Sequence, residues 1–147
     1  MKIGDLKVGA KLFFGNYGAN ETSIHPITWL KASRDNEFLS EFVLDLLKFD
    51  EALDGADVVI TGEGCSDSQT LCGKLPAAVS ERAGKKGVPV ILLSGALGKD
   101  SKALEEKFSC VFTLSSGAVS LQEALDSAPQ NLVRMAKAIV NLLRISR

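Results

Sequence analysis

The stretch VVITGEGCSDSQTLCGKLP, Val58 to Pro76, starts as a β-branched apolar run and ends at a helix start, with three glycines, two acids, four hydroxyls and a lysine between them. A short apolar run that empties into a polar, glycine-bearing loop is what the carboxyl end of a doubly covered parallel strand looks like. Loops leaving such strand ends collect along one edge of a sheet, where ligands bind. The stretch therefore predicts a strand, a polar loop opening at Gly62 that is either a ligand site or a run of capping residues and solvated charges, and a helix entered near Pro76.

The same rhythm continues downstream. ADVVIT (56–61), VPVILLSG (88–95) and CVFTLS (110–115) are short apolar runs bounded by turn formers, each followed by an amphipathic segment. KLPAAVSERAGKKG reads as a crossover helix, with Pro76 tolerated in its first turn and Gly87 marking its stop. KDSKALEEKF reads as a shorter one, capped by Asp100 or Ser101, with Leu104 and Phe108 facing inward. After the third strand, SLQEAL opens on a capping-box spacing, Ser120 to Glu123, with Leu121, Ala124 and Leu125 as its apolar face. APQNLVRMAKAIVNLLRISR repeats apolar residues at helical spacing (Leu132, Met135, Ala136, Ile139, Val140, Leu143) and reads as a packing helix. Upstream, NEFLSEFVLDLLKFDEAL reads as helix, with Phe38, Leu39, Phe42, Val43, Leu46 and Leu47 on its apolar face and a short second turn over 50–53. Strand and helix in alternation define an α/β class: a three-layer, Rossmann-like parallel sheet flanked by helices.

A chain of 147 residues fits one domain that buries about 70% of its unfolded surface. Its 17 basic and 18 acidic residues leave a formal charge of −1, which gives no general attraction for nucleic acid or an anionic membrane. No apolar run approaches a membrane span, and the first residues show no secretory leader pattern, so the expected location is cytoplasmic. Cys65, Cys72 and Cys110 have no CxxC spacing and read as reduced thiols; Asn20 of NET reads as a chance glycosylation match. Residues 1–36 mix turn formers without a period, and His25 and Trp29 there read as loop residues, so 1–36 is a divergent N-terminal segment and 37–147 the α/β domain.

In the loop, Gly62 and Gly64 let the backbone turn and approach an anion, and Ser68, Gln69 and Thr70 offer neutral hydrogen bonds. Lys74 adds a positive charge at a helix start. Glu63 and Asp67 would repel a phosphate unless a divalent cation lies between, so carboxylates, lysine and backbone amides together are a phosphoryl-transfer mixture. The spacing matches neither GxxxxGK[ST] nor GxGxxG. SGALGKDS (94–101) and SSGAVS (115–120) follow the next two strands and share the same edge.

ADVVITGEGCSDSQTLCGKLPAAVSERAGKKGVPVILLSGAL strongly resembles the glycerate kinase family, whose strand leads into TGEGRxDxQTxxGKxP; Thr61, Gly62, Glu63, Gly64, Asp67, Gln69, Thr70, Gly73, Lys74 and Pro76 match. FVLDLLKFDEAL and VFTLSSGAVSLQEAL are similar to the family's flanking segments, so the resemblance runs from about Glu41 to the end. It implies a partial glycerate kinase fold and a phosphotransferase acting on ATP and glycerate with Mg²⁺. It also implies Glu63, Asp67 and Lys74 as catalytic residues, Asp67 and Glu63 at the metal, and Gly62, Gly64, Ser68, Gln69 and Thr70 as substrate-binding. The family's APDSFK-like opening and GAAGG-like turn do not occur in this sequence, which implies a truncated member. Cys65 stands where the family usually has arginine, and Cys72 where histidine is common; a cysteine cannot replace arginine's bidentate charge. The alternative is a non-catalytic remnant or isolated domain that binds a small anion or pairs with itself as a homodimer.

Overall fold

The structure, a computed structural model, describes residues 36–145. The expectations for the N-terminal segment, with His25 and Trp29, lie outside the described residues. Helix α1 (Asn36–Leu46) and the single turn α2 (Phe49–Ala52) precede β1 (Val59–Ser66). A 3-10 turn (Ser68–Leu71) and α3 (Leu75–Lys85) cross to β2 (Val90–Leu97). A second 3-10 turn (Ser101–Ala103) and α4 (Leu104–Lys107) lead to β3 (Cys110–Thr113), and α5 (Leu121–Ile145) follows. The sheet order is β1-β2-β3 with both pairs parallel, Val59 opposite Val90 and Ile91 opposite Cys110. Parallel neighbours need a crossover, and α3 and α4 supply the two required here.

Alternation along the strands splits the core between two faces. Leu44, Phe49, Leu53, Val79, Val90, Leu92, Leu104 and Phe108 seal one face beneath α1 to α4. Ile91, Leu93 and Ile139 form a smaller cluster on the other face, joined by Val58, Phe112, Leu132 and Met135 under α5. Each large aliphatic side chain sealed in this way stabilises the fold by about 1.5–3 kcal/mol relative to exposure. The expected three-layer α/β sandwich is what forms.

Four local expectations are corrected. β1 runs through Gly62–Ser66, so Gly62, Glu63 and Gly64 lie in the strand and not in the loop after it. Glycine is a poor strand residue in isolation, but here it permits close pairing: a Cβ on Gly62 would sit 2.5 Å from the Leu93 carbonyl oxygen, and one on Gly95 2.5 Å from that of Gly64. Next, α5 is one helix of 25 residues that passes through Pro129 and joins the two segments read separately. Proline removes the N–H that would bond the carbonyl one turn earlier. In that turn the Ser127 hydroxyl donates to the Glu123 carbonyl at 2.7 Å and the Ala124 carbonyl at 3.3 Å.

The inward faces of two helices also differ. On α1 and α2 the buried residues are Leu44 and Phe49, followed by Leu53, while Phe42 and Leu46 are exposed. On α5, Leu121 and Leu125, and Val140 and Leu143 toward the other end, are exposed, and Ile139 is the buried residue of its apolar face. Finally, neither Asp100 nor Ser101 makes the expected cap: Asp100 adopts φ 60° with no side-chain hydrogen bond. The Ser120–Glu123 box does form, the Ser120 N–H donating to Glu123 at 2.9 Å.

One polar cluster fastens the helices on the sealed face. Arg82 of α3 donates to both Asp50 oxygens (3.0 and 2.6 Å), to Asp45 (2.6 Å) and to Glu41 (3.2 Å), so α1 and α2 are held to α3 by a bidentate guanidinium. The Arg82 hydrogen bond holds the Asp50 carboxyl below the ordinary aspartate range, and the same carboxylate raises the Arg82 pKa further.

Candidate functional site

Thr70 is the centre of the motif. It is fully buried, and its hydroxyl accepts the Asp67 backbone N–H at 3.1 Å while donating to Glu63 Oε1 at 2.5 Å. Asp67 caps the 3-10 turn in return, its Oδ1 accepting the Gln69 N–H at 2.9 Å. Lys74, the residue before α3, places its ammonium 4.0 Å from Glu63 Oε2. A strand acid, two turn residues and a helix-start lysine thus reach one place, although Glu63 and Lys74 are eleven residues apart. Gly73 makes the join possible: it sits at φ 75°, a backbone region that costs a side-chain-bearing residue about 1 kcal/mol or more.

Of the other expected residues, Ser68 and Gln69 are exposed at the turn. Gly62 and Gly64 lie within β1 as described, with Gly62 packed against β2 and Gly64 open on the side a Cβ would occupy. The loop after β2 closes on the motif directly: the Gly98 N–H donates to the Ser66 carbonyl at 2.9 Å, and a Cβ on Gly98 would lie 3.0 Å from that of Asp67. The segment after β3 reaches the β2 end instead, Ser115 donating to the Gly95 carbonyl at 3.1 Å. Ser66 Oγ is buried without a hydrogen-bond partner among the described residues.

Two contributors lie outside the motif, and one of them, Ser40, was not visible in the sequence. Ser40 of α1 is buried and donates to the Gly73 carbonyl at 3.0 Å, across 33 residues. Gly98 shapes the side of Asp67. Gly98 belongs to SGALGKDS, which reads as sharing this edge, whereas no local pattern marks the Ser40 contact, made by chain reversal. The mirror case is the recess of about 310 Å³ lined by Glu41, Asp45, Asp50, Arg82, Lys85 and Lys86. It is rich in charge, but its central arginine is already satisfied by three carboxylates.

The donor set can be tested against Mg²⁺. Among the described residues no group of three or more His, Cys, Asp or Glu side chains gathers as a closed metal cage. Mg²⁺ takes one or two carboxylates and completes its shell with water and phosphate oxygens, so the residue types fit that open type: Asp67, with one oxygen left after capping, and Glu63, linked to the Asp67 backbone through Thr70. The residue types fit an anion too, through Lys74 and the turn hydroxyls.

The model of the glycerate kinase family matches residues 28–144. A glycerate kinase of Bacillus cereus is 39% identical over 107 residues, covering 72% of this chain and 28% of that protein. The glycerate 2-kinase of Escherichia coli K12 is 34% identical over 106 residues, covering 71% and 28%. Among solved structures, a Salmonella typhimurium LT2 protein assigned as glycerate kinase 2 superposes with a TM-score of 0.53 at 34% identity, over 72% of this chain and 27% of that one. The chain therefore spans a little over a quarter of the length of these relatives, and across that span it belongs to the glycerate kinase family.

Proposed function

We propose that this chain is a glycerate kinase-like phosphotransferase, converting ATP and glycerate to ADP and phosphoglycerate, with residues 62–74 forming the part of the site that handles negative charge. The observation that supports this reading is the linkage of Glu63 to the buried Thr70 hydroxyl and to Lys74, with Asp67 joined to the same hydroxyl through its backbone N–H. A lysine before an 11-residue helix opposes the positive end of the helix dipole, and α3 starts there without a side-chain cap. An anionic ligand removes that conflict, so Lys74 holds a phosphate or the glycerate carboxylate.

Transfer forms a bond from a glycerate hydroxyl oxygen to the γ-phosphorus, breaks the bond from that phosphorus to the ADP oxygen, and releases the hydroxyl proton. Asp67 or Glu63 is the acceptor for that proton. Ser68, Gln69 and Thr70 orient the reactants, Thr70 through its hold on the Glu63 carboxylate and the Asp67 backbone N–H, and Gly62 and Gly64 keep the strand end free of side chains. Asp67, with Glu63, would hold Mg²⁺, which when bound neutralises charge on the phosphate oxygens.

Small-molecule ligands, with neither nucleic acid nor membrane, suit the near-neutral charge. No helix among the described residues is long and apolar enough to cross a membrane. We place the protein in the cytoplasm, where its three free cysteines would stay reduced.

A second reading rests on two observations: Cys65 occupies the motif's arginine position, and Leu121, Leu125, Val133 and Leu142 of α5 are exposed. On that reading the chain is a non-catalytic domain that binds a small anion or forms a homodimer through α5. A coupled assay with D-glycerate, ATP and Mg²⁺, beside Asp67→Asn, separates the two. Turnover lost in Asp67→Asn supports the kinase; no turnover above background in the wild type leaves the binding domain.

A further inference from the structure

We infer that Ser40, outside the motif and on a different helix, is a positioning residue for Lys74; this rests on the functional reading above. Lys74 follows Gly73, and the Gly73 carbonyl is held by the Ser40 hydroxyl at 3.0 Å. Ser40 is buried, so this bond is shielded from water, and the carbonyl it holds belongs to the residue at φ 75° where the chain reverses into α3. The orientation of the 73–74 peptide sets where the Lys74 side chain leaves the backbone. That side chain stops 4.0 Å from Glu63, too far for a close ion pair, so the carboxylate does not fix it in place.

The anchor is itself fixed from the far side. Glu41 and Asp45, next to Ser40 on α1, bond Arg82 of α3. Helix α1 thus touches α3 near both ends: through Arg82 at one, and through Ser40 and the Gly73 turn at the other. Removal of the Ser40 hydroxyl leaves the clamp intact and frees only the turn, so the effect falls on the site and not on the packing of α1.

The experiment compares wild type, Ser40→Ala and Ser40→Thr in the whole chain. It measures amide hydrogen exchange over residues 72–78 and the affinity for Mg²⁺-ATP and for D-glycerate, each by titration calorimetry. Ser40→Ala is expected to speed exchange in this segment about fivefold and to weaken the ligand that contacts Lys74 by a similar factor, the scale of one lost hydrogen bond. Ser40→Thr, which keeps the hydroxyl, is expected to restore both. Faster exchange with unchanged affinity makes Ser40 merely structural and overturns the inference, as does unchanged exchange. If the wild type binds neither ligand, the functional reading fails and the role of Ser40 fails with it. If the wild type binds and Ser40→Ala binds equally well, only the inference fails.

Discussion

The two ends of α3 are both dense in charge and differ in how that charge is used. At the carboxyl end, Arg82 meets three carboxylates at 2.6–3.2 Å and Lys86 bonds the Asp50 carbonyl at 2.6 Å. Cations there also suit the negative pole of the helix. At the amino end, Lys74 opposes the dipole, stands 4.0 Å from its carboxylate and sits on a glycine turn, while Asp67 keeps an oxygen free after capping. A clamp satisfies its charges internally. A binding site leaves some of them for a ligand, and on the proposed reading the charge at the amino end of α3 has that use.

Asp67→Asn tests the site end most severely. Asparagine caps as well as aspartate, so stability stays within about 0.5 kcal/mol of wild type. Loss of the charge lowers turnover by about 10³-fold, the scale of charge stabilisation in phosphoryl transfer. A large fall in melting temperature with retained turnover would reverse the comparison.

Arg82→Met tests the other end. Three acids lose their cation, and because the pairs are only partly shielded from water the cost is about 2 kcal/mol in urea unfolding, with ligand affinity unchanged in the folded protein. A shift in affinity would show that the clamp and the site are one unit.

The pH dependence sharpens the same point. The folded Asp50 carboxyl titrates below its ordinary range because Arg82 hydrogen-bonds it. Its contribution is therefore complete above the unfolded aspartate value near 4 and is lost as pH falls through the lower folded value. Urea midpoints measured between pH 5 and 2 should fall more steeply for wild type than for Arg82→Met; parallel slopes would remove Asp50 from the clamp. The smallest effect is expected at Glu81, whose pair with Lys85 at 3.1 Å is exposed. Glu81→Gln costs about 0.3 kcal/mol by thermal melting, and a loss above 1 kcal/mol would make this pair part of the clamp.

Much of this was legible from residues alone. The apolar runs, Pro76, Gly87 and the Ser120–Glu123 box each obey a local rule, and the structure follows them. The polar residues from Thr61 to Lys74 read as a candidate site because loops at the carboxyl ends of parallel strands gather along one edge of a sheet. Local rules failed where a distant partner decides. Gly62 and Gly64 read as loop, but pairing with β2 draws them into β1, and for Gly62 the absent Cβ is what permits it. Leu121 and Leu125 have helical spacing yet are exposed, since spacing alone cannot say which turns of a helix meet the core. SLQEAL and APQNLVRMAKAIVNLLRISR read as two segments, but they form one helix that runs through Pro129. Ser40 carried no signal, since its hydroxyl is one of many until α1 folds back onto Gly73.

The most direct test is to map ligand contacts on the uniformly labelled chain by amide chemical shifts during titration with Mg²⁺-ATP and then D-glycerate. The prediction is that shifts concentrate on residues 62–74 and Gly98, with the Arg82, Lys85 and Lys86 amides unmoved. Shifts confined to the Arg82 recess, or none at millimolar ligand, would contradict the assignment of the site to the amino end of α3.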